Sequence, residues 1–337
     1  MKTTKHRDFS KIAPFIYTSV SVRSIHLSYL LLLLPHMVLL FLYHDIYAIL
    51  NIFASVAATL TCQSIVYTIE KATFKIPFEA FLQGLLIGLF MPTNIGFGFV
   101  FVLSFLGFGL TKVIFGKSGS WMHPIMIILI IAYISAPELF VFTSRVNTLE
   151  NTMNPFPPLA LDSLITSFLN SHILNEAGIT LPEGYLSLFW NSSSLIPACR
   201  YNLLTVISSI ILLSLKVRDY TIPVLFILLY ETLVYCFSSF LFQGDVLASL
   251  MTGGFLFLVF FALPEPNAFP KTLFFKIASS VFLAITSFLL AGGKANFITI
   301  AFATLLLNIL TPYICEIEKM LHIKKSMKRM ITSFFLA

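Results

Sequence analysis

Charge is scarce in this sequence. Only 11% of its 337 residues are Asp, Glu, Lys or Arg, against roughly 25% in an ordinary soluble domain, while 58% are hydrophobic and the mean hydropathy is +0.92. A soluble core cannot hide that much apolar surface, so lipid is the expected solvent. Cysteine is sparse as well. Cys62, Cys199, Cys236 and Cys315 lie far apart and form no C-x-x-C pair, which argues against a zinc site or iron–sulfur cluster within this chain and for free thiols packed in helices. A Gly-rich phosphate loop, a G-x-S-x-G elbow and an H-E-x-x-H helix are all missing. Any chemistry must come from membrane-embedded groups or a bound cofactor. The net charge of +6 does not imply nucleic acid, because Lys and Arg sit in short clusters between apolar runs.

What the chain has is a series of apolar runs close to the roughly 20 residues a helix needs to cross the hydrocarbon. Bounded by charge, Pro or Gly, they cover 24–43, 46–69, 77–91, 95–115 and 124–142, then 202–215, 222–241, 246–263, 273–291 and 297–315. The expected fold is an all-α polytopic membrane protein with about ten transmembrane helices. A polar basic tail (1–23) precedes the first five-helix half (24–142). An outer-side loop (143–201) leads to the second half (202–315), and a basic tail (316–337) follows. The N-terminal tail reads as retained, because no small-residue cleavage site follows the first apolar run. With the N-terminus inside, every Lys and Arg except Arg145, Arg200 and Lys294 falls on the cytoplasmic side, so both termini are expected there. Five helices per half is an odd number, which fits an inverted repeat of five plus five. The third run of each half, FEAFLQGLLIGLFMP and LASLMTGGFLFLVFFALP, is Gly-interrupted and closed by Pro. Such segments mark a central site, or else their glycines simply permit close helix packing.

Ionisable groups within the runs are few, and each is expensive in hydrocarbon. Glu231, near the middle of the seventh run, is the candidate for an ion path; a structural hydrogen bond is the plainer reading. Glu79 and Glu138 lie near run ends where water reaches them. His36 reads as an interhelical donor. Two loops stand out: TKVIFGKSGSWMHP, with Lys112, Gly116, Lys117, Gly119 and Trp121, and TGGFLFLVFFALPEPNAFPKT, with Gly253, Gly254 and Glu265.

At these residues the chain resembles a known family: the D subunit of the Rnf ferredoxin:NAD oxidoreductase complex and its relative, the B subunit of the sodium-pumping NADH:quinone reductase. VRSIHLSYLLLLLP resembles the opening helix, KVIFGKSGSWMHP is similar to the family's K-x-x-[FY]-G-x-x-G-x-x-x-x-P loop, and SLKVRDYTIPVLFI resembles its basic turn and Ile-Pro helix start. TGGFLFLVFFALPEPNAFPKT is similar to G-G-x-x-x-x-x-F-F-x-x-T-D-P-x-x-x-P, and AFATLLLNILTPYI resembles the closing helix.

The resemblance implies a subunit of an ion-translocating electron-transport complex in the bacterial inner membrane. It would carry electrons through flavin while the complex moves Na⁺ or H⁺, with Rnf-type A, B, C, E and G subunits as partners and no catalysis alone. It implies FMN, or riboflavin, contacted by Thr166, Lys112, Gly116, Gly253, Gly254 and Glu265. Three departures stand against the family pattern. The family's [ST]-G-A-T motif, whose Thr carries FMN through a phosphoester, is absent: spacing puts DSLITSFL there and Phe168 at the flavin position, with Thr166 and the Thr180 of AGIT as neighbouring hydroxyls. Phe cannot form a phosphoester. The N-x-x-x-S-x-G-E segment reads NSSSLIPACR, without its Glu, and the T-D-P triplet becomes P-E-P, which keeps a carboxylate at Glu265. A second reading from another class is a transporter or permease of inverted-repeat architecture without a redox role; a third is an inert assembly subunit.

Overall fold

The computed structural model of the chain describes residues 21–69, 77–114, 121–140, 162–177, 186–190, 194–216, 218–238, 244–265, 268–292 and 296–335. Their regular elements are all helices, with no strand among them. Lipid offers a backbone no partner, so each segment must satisfy its own N–H and C=O groups, and the α-helix does so within one stretch of chain.

The first helices are α1 (Val22–Leu42), α2 (Ile46–Ile69), α3 (Phe78–Phe90), α4 (Phe97–Ile114) and α5 (Pro124–Ser135). After them come α6 (Asp162–Leu169) and α7 (Leu186–Phe189), then α8 (Asn202–Leu215), α9 (Thr221–Phe237), α10 (Val246–Met251), α11 (Phe255–Phe257), α12 (Leu273–Ala291) and α13 (Phe297–Phe335). Four of these, α1, α2, α12 and the Phe297–Leu321 part of α13, are long and apolar enough to cross a bilayer by themselves. Side chains set several starts: the Ser21 hydroxyl accepts from Ser24 N at 3.1 Å, and the Asp45 and Asp245 carboxylates accept from Ala48 N at 3.1 Å and Ala248 N at 2.9 Å. These are N-caps, each satisfying an amide that the helix leaves over.

Four differences from the sequence expectation have physical causes. The run 124–142 ends as an α-helix at Ser135 and turns into a 3-10 segment, Pro137–Leu139, because the residue before a proline is driven out of helical geometry. Of the two runs read as Gly-interrupted, only 246–263 is broken, with Gly253 and Gly254 at φ of 60° and 65° and α11 running on into a π-helical turn, Leu258–Ala262, whereas α3 is one regular helix because its glycines serve packing. The loop expected over 143–201 contains α6, a π-helical turn at Asn170–Leu174 and α7. The tail expected from 316 onward continues α13 without a break to Phe335.

Packing follows a repeated scheme. Helix α2 packs on α4 and α4 on α5; in the same order, α9 packs on α12 and α12 on α13. The two sets meet where α1 touches α8 and α5 touches α13. At the closest contact, α3 against α2, Ser55 Oγ donates to Gly84 O at 2.7 Å and Thr59 Oγ1 to Ala80 O at 2.9 Å. A β-carbon on Gly84 would lie 2.8 Å from Val56 Cα, and one on Gly88 would lie 2.5 Å from Ile52 Cα. Small residues let backbones approach and hydroxyls bond across, which is how helices associate where lipid provides no hydrophobic drive. Between the sets the core is aromatic, with Phe90 packed on Phe257 and Phe297, and Phe257 stacked on Phe261.

Candidate functional site

Chain direction and side-chain contacts sort the helix termini into two ends. At one, α1, α3, α9 and α12 begin and α4 ends; Lys112, Arg218, Lys271 and Lys276 gather there, and it is called the basic end below. At the other, Asp45 after α1 meets Arg200 before α8, their ion pair 2.5 Å long and almost wholly buried. Arg200 Nε also donates to Ser194 O at 2.7 Å, so the guanidinium is satisfied by charge and by carbonyl. Tyr201 stacks on Tyr43 and packs against Trp190 beside this pair.

The basic end holds a cavity of about 500 Å³. Val22, Ile25, Ile222, Leu263 and Phe269 form its apolar wall, and His26, Glu79, Arg218, Glu265, Lys271 and Lys276 its polar lining. Three ion pairs order those charges. Lys112 Nζ lies 2.8 Å from Glu79 Oε1, Arg218 Nη1 lies 3.5 Å from Glu265 Oε2, and Lys276 pairs with Asp219. Arg218 is the centre of the arrangement: it donates to Pro264 O at 2.5 Å, and its guanidinium sits 4.9 Å above the Tyr29 ring. The Tyr29 hydroxyl meets the Tyr220 hydroxyl at 2.6 Å, joining α1 to the start of α9. Burial pushes the Glu265 carboxyl above its usual range, and the Arg218 charge opposes that rise. At Asp219 burial acts in the same upward sense, but the hydrogen bonds from Lys276 and from the Thr221 hydroxyl and amide outweigh it and hold the carboxyl at about 2.

The residues singled out in the sequence divide between the two ends. Lys112 and Glu265 belong to the basic end. Thr166 and Phe168 lie on α6, which touches α7, and α7 in turn touches α8 and α10. Asn202 at the start of α8 donates to Leu188 O of α7 at 2.7 Å and to Met251 O of α10 at 2.5 Å, which places this group at the end opposite the basic one. The 14 residues of α8 span roughly 20 Å at 1.5 Å per residue, so one small molecule does not reach Thr166 and Glu265 together. On α6, Phe168 is 55% exposed and stacks on His172 with ring centroids 4.6 Å apart, whereas Thr166 is buried. Two residues apart on a helix is about 200° of rotation, so they occupy opposite sides.

Gly253 and Gly254 form the break before α11, where Phe297 N donates to Gly253 O at 2.9 Å; they support the start of α13 and do not line the cavity. Gly116 lies outside the described residues, as do Lys117, Gly119 and Thr180. Glu231 is buried in α9 and accepts from Ser249 of α10. His36 bonds Thr205 of α8 at 3.2 Å, an interhelical contact as expected. Glu138 is exposed in its 3-10 segment, and Glu79 is half-exposed as well as ion-paired.

Sequence reasoning counted Arg218 only as a topology marker and passed over Asp219, Tyr29 and the Asp45–Arg200 pair. A usable signal existed: each charge stands within a few residues of an apolar run, where an unpaired ion is costly. No group of three or more His, Cys, Asp or Glu able to hold a metal occurs among the described residues. A comparison with curated proteins finds no match. The model of the NQR2, RnfD, RnfE family matches residues 9–324, nearly the whole of this multi-pass membrane chain. The chain belongs to the NQR2, RnfD, RnfE family.

Proposed function

We propose that this membrane subunit of an Rnf- or Nqr-type complex passes electrons through a bound flavin while the complex moves Na⁺ or H⁺. The family match over residues 9–324 carries the reading. Covalent FMN does not fit at the family position, since Phe168 has no hydroxyl and Thr166 is buried on the other side of α6. A flavin held without a phosphoester fits the basic end better: its cavity of about 500 Å³ lies within the roughly 300–1,000 Å³ usual for small-molecule sites. Bound there, a flavin supplies one- and two-electron transfer. The chain's own residues would seat it: Ile25, Ile222 and Phe269 against the ring, Arg218 and Lys276 on anionic groups, Glu265 as an acceptor, and Lys112 holding Glu79 in place.

The finer architecture belongs to the same proposal. Ten crossings as an inverted five-plus-five repeat are supported by the matched order of packing, α2–α4–α5 and α9–α12–α13, and by α1 and α8 starting at opposite ends. Cytoplasmic termini in a bacterial inner membrane are supported by Lys112, Arg218, Lys271 and Lys276 sharing one end while Arg200 lies at the other. The A, B, C, E and G subunits are the proposed partners. A permease is less well supported, because Phe90, Phe257, Phe261 and Phe297 fill the space between the halves.

The test is purification of the complex through a tag on this chain, followed by acid extraction and intact mass of the subunit. The expected result is flavin released by acid and a chain of unmodified mass. A colourless subunit with no flavin in either fraction removes the electron-carrying role. FMN retained after denaturation would move attachment to Thr166 or Thr180.

A further inference from the structure

The cavity at the basic end leaves a buried carboxyl unused. Glu231, near the middle of α9, is 7% exposed. Its Oε2 accepts from Ser249 Oγ on α10, and its Oε1 is buried with no partner. A carboxylate taken out of water is penalised by several kcal/mol even after relaxation, and one hydroxyl does not offset that. Among the described residues, the charged groups on the elements packed against α9 give no relief. Asp245, which begins α10, is the charge that acts on Glu231, and it has the same sign. On α12, the cation Lys276 is engaged by Asp219 at the basic end, and the buried polar residues are Ser279, Ser280 and Ser287. Arg200 is committed to Asp45. Among the described residues none supplies the balancing charge, which points to a cation that binds and leaves.

Two further observations concern the same level of the bundle. Ser280 bonds Ile222 O, and Phe288 packs on Tyr230, which fixes the register of α12 on α9 and sets Ser287 within a turn of the level of Glu231. Ser287 is fully buried and its hydroxyl has no partner. At the outer edge, Gly244 is pressed onto α9, where a β-carbon would fall 2.0 Å from Val234 O. That contact holds the start of α10, and with it Asp245 and Ser249, over Glu231. Asp245 is only partly buried, so it joins the buried carboxylate to the membrane surface opposite the basic end.

We propose that Glu231, with Ser249 and Asp245, forms an exchangeable monovalent-cation site loaded from the end opposite the flavin cavity. The site rests on the reading that the complex moves Na⁺ or H⁺, and it gives that ion a position in this chain. A carboxyl that exchanges its cation while shielded from water reacts with dicyclohexylcarbodiimide to a stable adduct, whereas water-facing carboxyls hydrolyse. The experiment treats native membranes with this reagent and maps the adduct by peptide mass spectrometry, with exposed Glu138 as the internal reference. The expected result is labelling at Glu231 well above Glu138, lost in Glu231→Gln. Protection by NaCl but not by KCl identifies Na⁺; labelling indifferent to Na⁺ and falling as pH rises identifies H⁺. In Ser249→Ala, protection should need several-fold more Na⁺ if Na⁺ is the ion, and the pH at which labelling is half lost should shift if it is H⁺.

An unlabelled Glu231 in a fully covered peptide map overturns the proposal, as does labelling no stronger than at Glu138. The wild-type measurement stands even if Glu231→Gln fails to assemble. Loss of the label with flavin retained sinks the cation site alone. Absence of flavin with the label intact sinks the redox reading alone.

Discussion

In α3, Gly84 and Gly88 lie one turn apart on the face pressed to α2, inside a regular helix. Between α10 and α11, Gly253 and Gly254 are consecutive, and both have left-handed φ, so the helix they interrupt resumes on a new course. The first pair is needed for the volume it does not occupy, the second for a backbone shape that an L side chain resists. The contrast shows in what surrounds them: around Gly84 and Gly88 the obstacles include the backbone of α2, which cannot yield, while beside Gly254 they are the Cys199 sulfur at 3.0 Å and the Phe297 ring at 3.2 Å. Similar composition in two apolar runs thus conceals a packing device and a conformational one.

Substitution series in detergent, read by thermal or denaturant unfolding, would break or sharpen the contrast. The largest loss is expected for Gly84→Ala and Gly88→Ala, about 2–3 kcal/mol, the upper range for overpacking a close-packed contact. Thr59→Ala added to Gly84→Ala should not restore it, because Val56 Cα remains 2.8 Å away; full rescue would show that the side chain alone was the obstacle. Gly254→Ala comes next at about 1–2 kcal/mol, from left-handed strain. Gly292→Ala tests strain by itself, since its φ is 57° and nothing lies within 4 Å; a loss near 1 kcal/mol, clearly below that of Gly88→Ala, is expected. Ser55→Ala, which removes the bond into Gly84 O, should lose roughly 0.6 kcal/mol, the average for hydrogen bonds between membrane helices.

The smallest effect is a pH effect that touches neither glycine pair. Asp219 is held at about 2 when folded, below the roughly 3.9 of a free Asp. A depressed carboxyl contributes stability that is present above the unfolded value and is lost as pH falls through the folded one. Because Asp219 is half-exposed, solvent screening keeps the contribution small. Unfolding midpoints should fall slightly between pH 4 and 2 in the wild type, less so in Lys276→Met, and the ranking of the glycine variants should not change.

Helices α2, α8 and α12 coincide with the runs 46–69, 202–215 and 273–291, because charge, Pro or Gly bounds an apolar run where its helix must stop. The sequence read both third runs as Gly-interrupted, and only one is broken: glycine in an apolar run serves close packing and left-handed turns alike, and only the contact partners decide. The continuation of α13 past Cys315 was hidden for a different reason. The sequence changes there from apolar to charged, which marks where lipid ends, but EIEKMLHIKK contains good helix formers and nothing that stops a helix. At the basic end, the charged residues were visible one by one. That Arg218 reaches Glu265 and Pro264 across 46 or 47 positions of chain, while Lys112 reaches Glu79, follows from tertiary packing and from no local pattern. Asp45 and Arg200 illustrate the same limit, since a buried pair so far apart in sequence leaves no periodic trace.

Helix α13 runs unbroken for 39 residues, about 58 Å at 1.5 Å per residue, nearly twice the roughly 30 Å of hydrocarbon it has to cross. A rod that leaves the bilayer without a joint works as a lever. Its apolar arm packs on α5 and α12, so a slight tilt of those neighbours swings the charged end of the helix through a much larger arc. Pro312, the proline inside the rod, is where stiffness is lowest, and its position sets how much of that swing reaches whatever touches the far end.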